Sequence, residues 1–455
     1  MTSLTVKILE HSSLPSLEYL FILYLSSSFE GTDRVINRIV IDSREVKRGD
    51  LFLAISGINN DGHKYIKDAI DNGAACIICE KPHNFISSST PTIIVKNSIQ
   101  ALGNIATKYK IKIGQPYTIG ITGTNGKTTV TKLCTSILST SFRTSATIGN
   151  YNNEIGLPLS VLNASHETEK CIYEHGARKQ NDISYLTKIS QPDLTALLNV
   201  SEAHMESFKS MENLIQTKEE IFSHPKTKHI ILNIDDANFS RWQKLNESKK
   251  ITTLSLIGNA DYVMKSDEED YCVLTPHGEF NIDKDYTTNI LPINILFSVA
   301  ITMESGSSID DVVNGLKSFS GIEGRFYTLY SKNKSMIIDD SYNANPESMK
   351  SALRQLASYS KNRIFVMGDM GELGINSQKH HQSIFKFSKQ LGIEYLFYMG
   401  EYRKDAELIF GKNCYTSDNM DEIVKKLKKI SGADSTILVK ASRFMNFDYI
   451  VKELK

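Results

Sequence analysis

The sequence predicts an α/β protein of three domains: a small N-terminal α/β domain (1–113), a central α/β domain with a mostly parallel sheet (114–321), and a C-terminal Rossmann-like α/β domain (322–455). Three observations predict it. At 455 residues the chain is long enough for roughly two to four domains, each burying its own core. Short apolar, β-branched runs alternate with stretches of helical spacing. Gly114-Gln115-Pro116 and Gly321 to Gly324 break that alternation as a linker and a hinge.

The 52 basic and 52 acidic side chains cancel, so no global field favours nucleic acid or an acidic membrane. Specificity is expected from local sites. Six cysteines (Cys76, Cys79, Cys134, Cys171, Cys272 and Cys414) are scattered, which suits a reducing cytoplasm better than a disulfide framework. Cys76 and Cys79 form a C-x-x-C, but within an apolar run that reads as a buried strand. Leu17 to Leu25 is apolar except for Glu18, far short of the roughly 20 residues that span a bilayer. No signal-peptide pattern frames it. A cytoplasmic monomer with no stable membrane insertion is expected.

In the first domain, strands are expected at Arg38 to Asp42, Leu51 to Ile55, Ala75 to Cys79 and Thr92 to Val95, with helical spacing over Gly62 to Asn72. Asp42-Ser43-Arg44, Gly49-Asp50 and Asp61-Gly62-His63 are, on bare chemistry, turn residues.

The central domain opens on a strand at Tyr117-Thr118-Ile119, then GITGTNGKTT (Gly120 to Thr129), then a helix over Val130 to Leu138. A glycine-rich turn between strand and helix is a phosphate cradle, which makes this domain P-loop ATPase-like. Gly123 and Gly126 let backbone N–H groups face an anion, and the helix N-terminus adds about 0.3–2 kcal/mol. Lys127 supplies a full charge, Thr128 a hydroxyl for magnesium, and Thr124, Asn125 and Thr129 complete the loop. The general pattern G-x-x-x-x-G-K-[ST] would put glycine at Ile121, and this chain does not. Farther on, strands are expected to end at Glu174 and before Ser201 to His204. Parallel α/β sheets place ligands at the carboxyl ends of strands, so Glu174 and His204 could meet at a magnesium ion beside the loop.

The compact loop TGTNGKTT resembles the variant phosphate loop of the Mur ligase family, which joins amino acids to a cell-wall precursor using ATP. The stretch DSREVKRGDLFLAISGINNDGH is similar to the family domain that holds the UDP end of the substrate, which makes Ser43 and Arg44 uridine or pyrophosphate candidates. Thr147 to Pro158 (TIGNYNNEIGLP) resembles the family's substrate loop, in which Thr147, Asn150, Asn152 and Asn153 would face the muramyl-peptide. Lys218, in TKEEI, occupies the position of a lysine that takes up carbon dioxide as a carbamate. The resemblance thus implies two magnesium ions organised by Thr128, Glu174, His204 and carbamylated Lys218, with Lys127 and these residues carrying the catalysis.

Nucleotide contacts are implied for Asn294, Arg325, Asp340 and Asn345, with Asp340 on the ribose and Asn345-Pro346 starting a helix. Tyr342 and Asn343 are assigned to the substrate. The family's G-x-H-N before Asn294 is missing: its histidine and asparagine are Ile290 and Leu291 here, and Ala441 stands where glycine is usual. DDSYNANP (Asp339 to Pro346) and GDMGELG (Gly368 to Gly374), with His381 beyond, resemble the member that adds D-alanyl-D-alanine to UDP-N-acetylmuramoyl-tripeptide. The Asp-Asn-Pro-Arg motif of the diaminopimelate-adding member is absent. A sister ligase and a non-catalytic nucleotide-binding relative are the alternatives. A GTPase-type switch is disfavoured because no [NT]KxD motif is present.

Overall fold

The computed structural model describes residues 29–30, 36–57, 60–82, 90–202, 205–266, 270–287, 289–359 and 362–455, and it contains three sheets. The first comprises β1 (Phe29–Glu30), β2 (Ile39–Val40), β3 (Leu51–Leu53), β4 (Cys76–Cys79) and β5 (Thr92–Ile94), in the order β1-β5-β4-β3-β2. Strands β2 to β5 are parallel, and β1 pairs antiparallel with β5. The four expected strands are present but shorter. The helical run from Gly62 divides into a 3-10 turn, Gly62–Tyr65, capped by Asp61, and a helix, Ile66–Asp71. Cys76 and Cys79 are buried free thiols within β4.

Helix Ser98–Lys112 fastens this unit to the next. Leu102, Ile105 and Tyr109 share one core with Leu157, Val161 and Leu186. At its end the buried Lys110 ammonium donates to the carbonyls of Ser190 and Gln191. These close the C-terminus of helix Asp182–Ser190, where the helix dipole favours a cation.

The second sheet contains β6 (Tyr117–Thr122), β7 (Thr144–Ala146), β8 (Lys170–Glu174), β9 (Leu194–Leu197), β10 (His229–Asn233), β11 (Lys250–Ser255), β12 (Tyr262–Ser266), β13 (Asp270–Thr275) and β14 (Gly278–Asp283). Their order is β14-β13-β12-β11-β10-β9-β6-β8-β7. Pairing is parallel from β7 across to β12, and β12 to β14 form an antiparallel edge. The chain lays β7 and β8 on one side of β6 and β9 to β12 on the other. The phosphate loop therefore leaves β6 where strand order reverses, the position at which open α/β sheets bind ligands. Asp261 to Asp285, chemically plain in sequence, supplies the antiparallel edge, while the acidic run at 267–269 lies outside the described residues.

The third sheet contains β15 (Tyr327–Tyr330), β16 (Met336–Asp339), β17 (Arg363–Gly368), β18 (Tyr395–Met399), β19 (Cys414–Thr416) and β20 (Thr436–Lys440). Its order is β15-β16-β20-β17-β18-β19, parallel except for β15. Among the described residues no helix is long and apolar enough to cross a membrane, and Leu17 to Leu25 lies outside them.

Behind the phosphate loop, helix Lys127–Leu138 packs so closely on helix Ile309–Lys317 that only glycine fits at the crossing. A Cβ on Gly315 would stand 2.4 Å from Ile137 Cα, while Ser136 Oγ donates to the Gly315 carbonyl at 2.8 Å. Propensity alone would make Gly315→Ala stabilising by about 1 kcal/mol. The backbone clash outweighs this, since overpacking costs about 1–3 kcal/mol. Urea unfolding should show G315A less stable than the wild type; a gain would refute the close crossing.

Candidate active site

A cleft of about 1000 Å³ lies between the carboxyl edge of the second sheet and the third unit. Its floor is the phosphate loop. Gly126 caps helix Lys127–Leu138 at φ +85°, and a Cβ there would come within 2.5 Å of Asn294 Oδ1. Glycine is thus required both by the left-handed backbone and by the approach of Asn294. Lys127 Nζ folds back on the carbonyls of Gly123 and Thr124, each at 3.0 Å. Burial lowers its pKa, the Glu174 carboxylate opposes that, and Arg325 adds to it.

A clasp that sequence reasoning missed holds the loop. Asn199, just past β9, accepts from the Asn125 N–H at 2.9 Å and donates back to the Asn125 carbonyl at 3.1 Å. Ser201 N–H donates to Thr124 Oγ1, which itself donates to the Ser201 carbonyl. Position at the end of a central strand was the only available signal.

Glu174 ends β8 against the loop, 2 % exposed. Thr128 Oγ1 donates to one carboxylate oxygen and Asn152 Nδ2 to the other, both at 2.7 Å. Thr147 differs from expectation. It does not line the cleft, and its hydroxyl accepts from the Glu174 N–H at 2.8 Å, fixing the carboxylate's backbone. Asn153 also departs: its Oδ1 accepts from the N–H groups of Ile155 and Gly156, capping helix Gly156–Leu162, and it stays exposed. Asn150 and Asn152 do line the cleft, as do Thr124, Asn125 and Thr129.

Lys218 is buried behind the loop, on helix Met211–Glu219. Burial, aided by the Lys127 charge, lowers its pKa to about 7. No ion pair or hydrogen bond partners its ammonium among the described residues. His204 lies outside the described residues.

The third unit supplies the roof. Asn345 and Asn125 exchange amide hydrogen bonds at 2.7 and 3.3 Å, and Asn345 Oδ1 also accepts from Ser348 N–H to cap helix Pro346–Ala357. The Met205 N–H donates to the Glu372 carbonyl, a second bridge. Arg325 lies with its guanidinium carbon 4.1 Å from the Tyr342 ring centroid. Asp340 lines the cleft but is already engaged, by Lys440 Nζ at 2.5 Å and by the Phe326 N–H at 3.1 Å. Burial pushes its pKa up against the pull of Lys440. Asn343 lines the cleft too, and its carbonyl accepts from Lys440.

Ser43 and Arg44 stand apart from the cleft. Ser43 is buried, its carbonyl accepting from Asn72, while exposed Arg44 pairs with Asp42. That surface pair is screened by solvent and can open to a ligand. Ile290 is sunk in the central core, and Leu291 packs against the third unit's core while lining the cleft. The side chains standing in the family's histidine and asparagine positions therefore act as packing.

Sequence profiles match along the chain in order: the Mur ligase family catalytic domain over residues 35–118, the Mur ligase middle domain over 121–302, and the Mur ligase glutamate ligase domain over 324–443. The UDP-N-acetylmuramoyl-tripeptide--D-alanyl-D-alanine ligase of Buchnera aphidicola (subsp. Acyrthosiphon pisum) is 32% identical over 450 residues, covering 95% of this chain and 96% of the relative. The chain belongs to the Mur ligase family. Solved Mur ligases agree: MurF from Acinetobacter baumannii superposes with a TM-score of 0.85 at 28% identity, covering 92% of this chain and 94% of that one. MurF from Thermotoga maritima, solved in complex with ADP, gives 0.82 at 28% identity over 92% and 96%.

In this Mur ligase the GDMGELG loop is braced by His381. Met370 N–H donates to its Nε2 at 2.9 Å, so the ring proton sits on Nδ1 and is donated to the Ser377 carbonyl at 2.8 Å. The Met370 bond requires an unprotonated Nε2, and burial lowers the His381 pKa against the opposing pull of the Ser377 carbonyl and Asp369. The stabilisation is therefore complete above about pH 6.5 and is lost as pH falls through the lower folded value. His381→Gln keeps an acceptor without a titrating ring. Urea titrations between about pH 7.5 and 5 should show the wild type losing more stability on acidification than H381Q. Parallel profiles would exclude His381 as a source.

Proposed function

We infer that this chain joins D-alanyl-D-alanine to UDP-N-acetylmuramoyl-tripeptide, forming an amide bond at the expense of ATP, which becomes ADP and phosphate, in peptidoglycan precursor synthesis. The observation that carries this is end-to-end similarity to ligases of that name, over 95% of the chain, joined to a phosphate loop whose Thr128 is bonded to a buried carboxylate. Three domains divide the work: residues 1–113 take the UDP-substrate, 114–321 bind ATP, and 322–455 bring nucleotide contacts and the dipeptide. We place the protein in the cytoplasm as a monomer.

A peptide carboxylate is a poor electrophile, so it is first phosphorylated to an acyl phosphate. The dipeptide amine then attacks its carbonyl carbon and phosphate leaves. Bringing carboxylate to triphosphate is opposed by about 4 kcal/mol per unit pair at 4 Å and an effective dielectric near 20. Lys127 exchanges the carbonyls of Gly123 and Thr124 for phosphate oxygens, and Arg325, which has no carboxylate partner among the described residues, adds a second cation. Asn294 and Asn345 line the nucleotide's path, and Asp340 retains acceptor capacity for a ribose hydroxyl.

Thr128 and Glu174 fit magnesium, an ion that takes few protein oxygens and fills its shell with water and phosphate. When bound, magnesium neutralises phosphate charge. Lys218 fits a second ion only as a carbamate, because an ammonium cannot be a ligand. Its pKa near 7 leaves a neutral amine available to carbon dioxide. His204 is assigned with Glu174 to the ion beside the phosphate loop.

Phosphate release from ATP should require both UDP-muramyl-tripeptide and D-alanyl-D-alanine. Release indifferent to omission of either would end the ligase interpretation. For the carbamate, Lys218→Arg keeps a cation that cannot add carbon dioxide. Activity should fall by at least about 100-fold, more than an outer-shell partner usually costs. Wild-type turnover by K218R would remove the carbamate.

A further inference from the structure

We propose that Tyr342 is a positioning residue that acts through Arg325: its ring holds the guanidinium over the phosphate loop as an unneutralised cation. This rests on the ATP-dependent ligase assignment above and gives Tyr342 a different task from substrate contact. The guanidinium carbon lies 4.1 Å from the ring centroid, well within cation–π range. Among the described residues Arg325 makes no ion pair, although it sits half-buried in a cleft where a long cation would otherwise find a carboxylate. Arg363 and Arg241, by contrast, are each bound to glutamates. A π face attracts a guanidinium without cancelling its charge, whereas a carboxylate would compete with phosphate for it.

The backbone fixes ring and cation together. Tyr342 N–H donates to the Gly324 carbonyl at 2.9 Å, and Gly324 N–H donates to Asp339 Oδ2 at 3.0 Å. The hinge residue before Arg325 is thus bonded on both sides to the loop that carries Tyr342. Gly324 adopts φ +79°, and a Cβ there would come within 3.3 Å of Tyr342 Cβ. Arg325 and Lys127 both line the cleft, so the two cations face the same volume. Arg443 sits at the edge of range of the same ring, 6.0 Å from its centroid. The Tyr342 hydroxyl has no part in any of these contacts.

The test is a double-mutant cycle on the full-length enzyme, Y342L, R325A and the double variant, read as kcat and the KM for ATP with both other substrates saturating. Y342L should lower kcat/KM for ATP about three- to thirty-fold, the range of one cation–π contact. Y342F should restore most of that loss, and Y342L should add little in the R325A background. Circular dichroism melting of each variant identifies folding losses, and Y342F carries the comparison if Y342L unfolds. Independent, multiplying losses from Y342L and R325A would overturn the proposal. So would a Y342F defect as deep as that of Y342L, which would assign the effect to the hydroxyl. Wild-type phosphate release dependent on both substrates, measured alongside, separates failure of this proposal from failure of the ligase assignment.

Discussion

Around the phosphate loop Lys127, Lys218 and Arg325 share one buried carboxylate, Glu174, and the site is organised by that local imbalance. Lys218 is buried and Lys127 half-buried, Lys127 lowers the proton affinity of Lys218 and Arg325 that of Lys127, and Glu174 is the carboxylate that opposes both shifts. Arg325 adds a third charge held by a ring. Lys440, by contrast, is matched by Asp340. Burying an unpaired charge is costly. The cost is tolerable where a polyanion binds, and Lys127 meanwhile leans on two backbone carbonyls that it can exchange for phosphate.

Two separate sheets serve that centre through one rule: functional loops sit at carboxyl ends of parallel strands. β6 gives the phosphate loop, β8 gives Glu174, β9 gives the Asn199 clasp, β16 gives the Asp340 to Asn345 loop, and β20 gives Lys440. The Asn125–Asn345 exchange joins the loop of one sheet to that of another. Because Asn345 also caps its helix, the bridge ties a whole element of the third unit to the phosphate loop.

Much of this was legible in the sequence. Alternating periodicity and two glycine breaks are local signals, and they sufficed for the α/β class; the phosphate loop and Glu174 follow from strand ends. What stayed hidden acts across distance. Asn199 meets Asn125 over 74 residues and Lys440 meets Asp340 over 100, and no local pattern encodes either pairing. The resemblance to the family's substrate loop implies that Thr147 and Asn153 face the substrate, and polar residues in a glycine-containing loop give no sign of which bonds they make. Thr147 instead serves the backbone of Glu174, and Asn153 a helix start, the competing uses of short polar side chains.

Ile290 and Leu291 show the opposite relation between sequence and structure: a departure from family pattern that the fold explains. A polar pair at this point would have to be hydrogen-bonded where Ile290 is only 4 % exposed, whereas isoleucine fills the central core without that demand. Leu291 caps helix Pro292–Met303 with no side-chain bond and packs across the cleft onto the third unit. Asn289 bonds the Thr328 N–H from the same short segment, so the polar bridge and the apolar one lie side by side. Ile290 and Leu291 therefore act as packing within and between units, and Asn294, pressed against Gly126, is the amide that couples this wall to the phosphate loop.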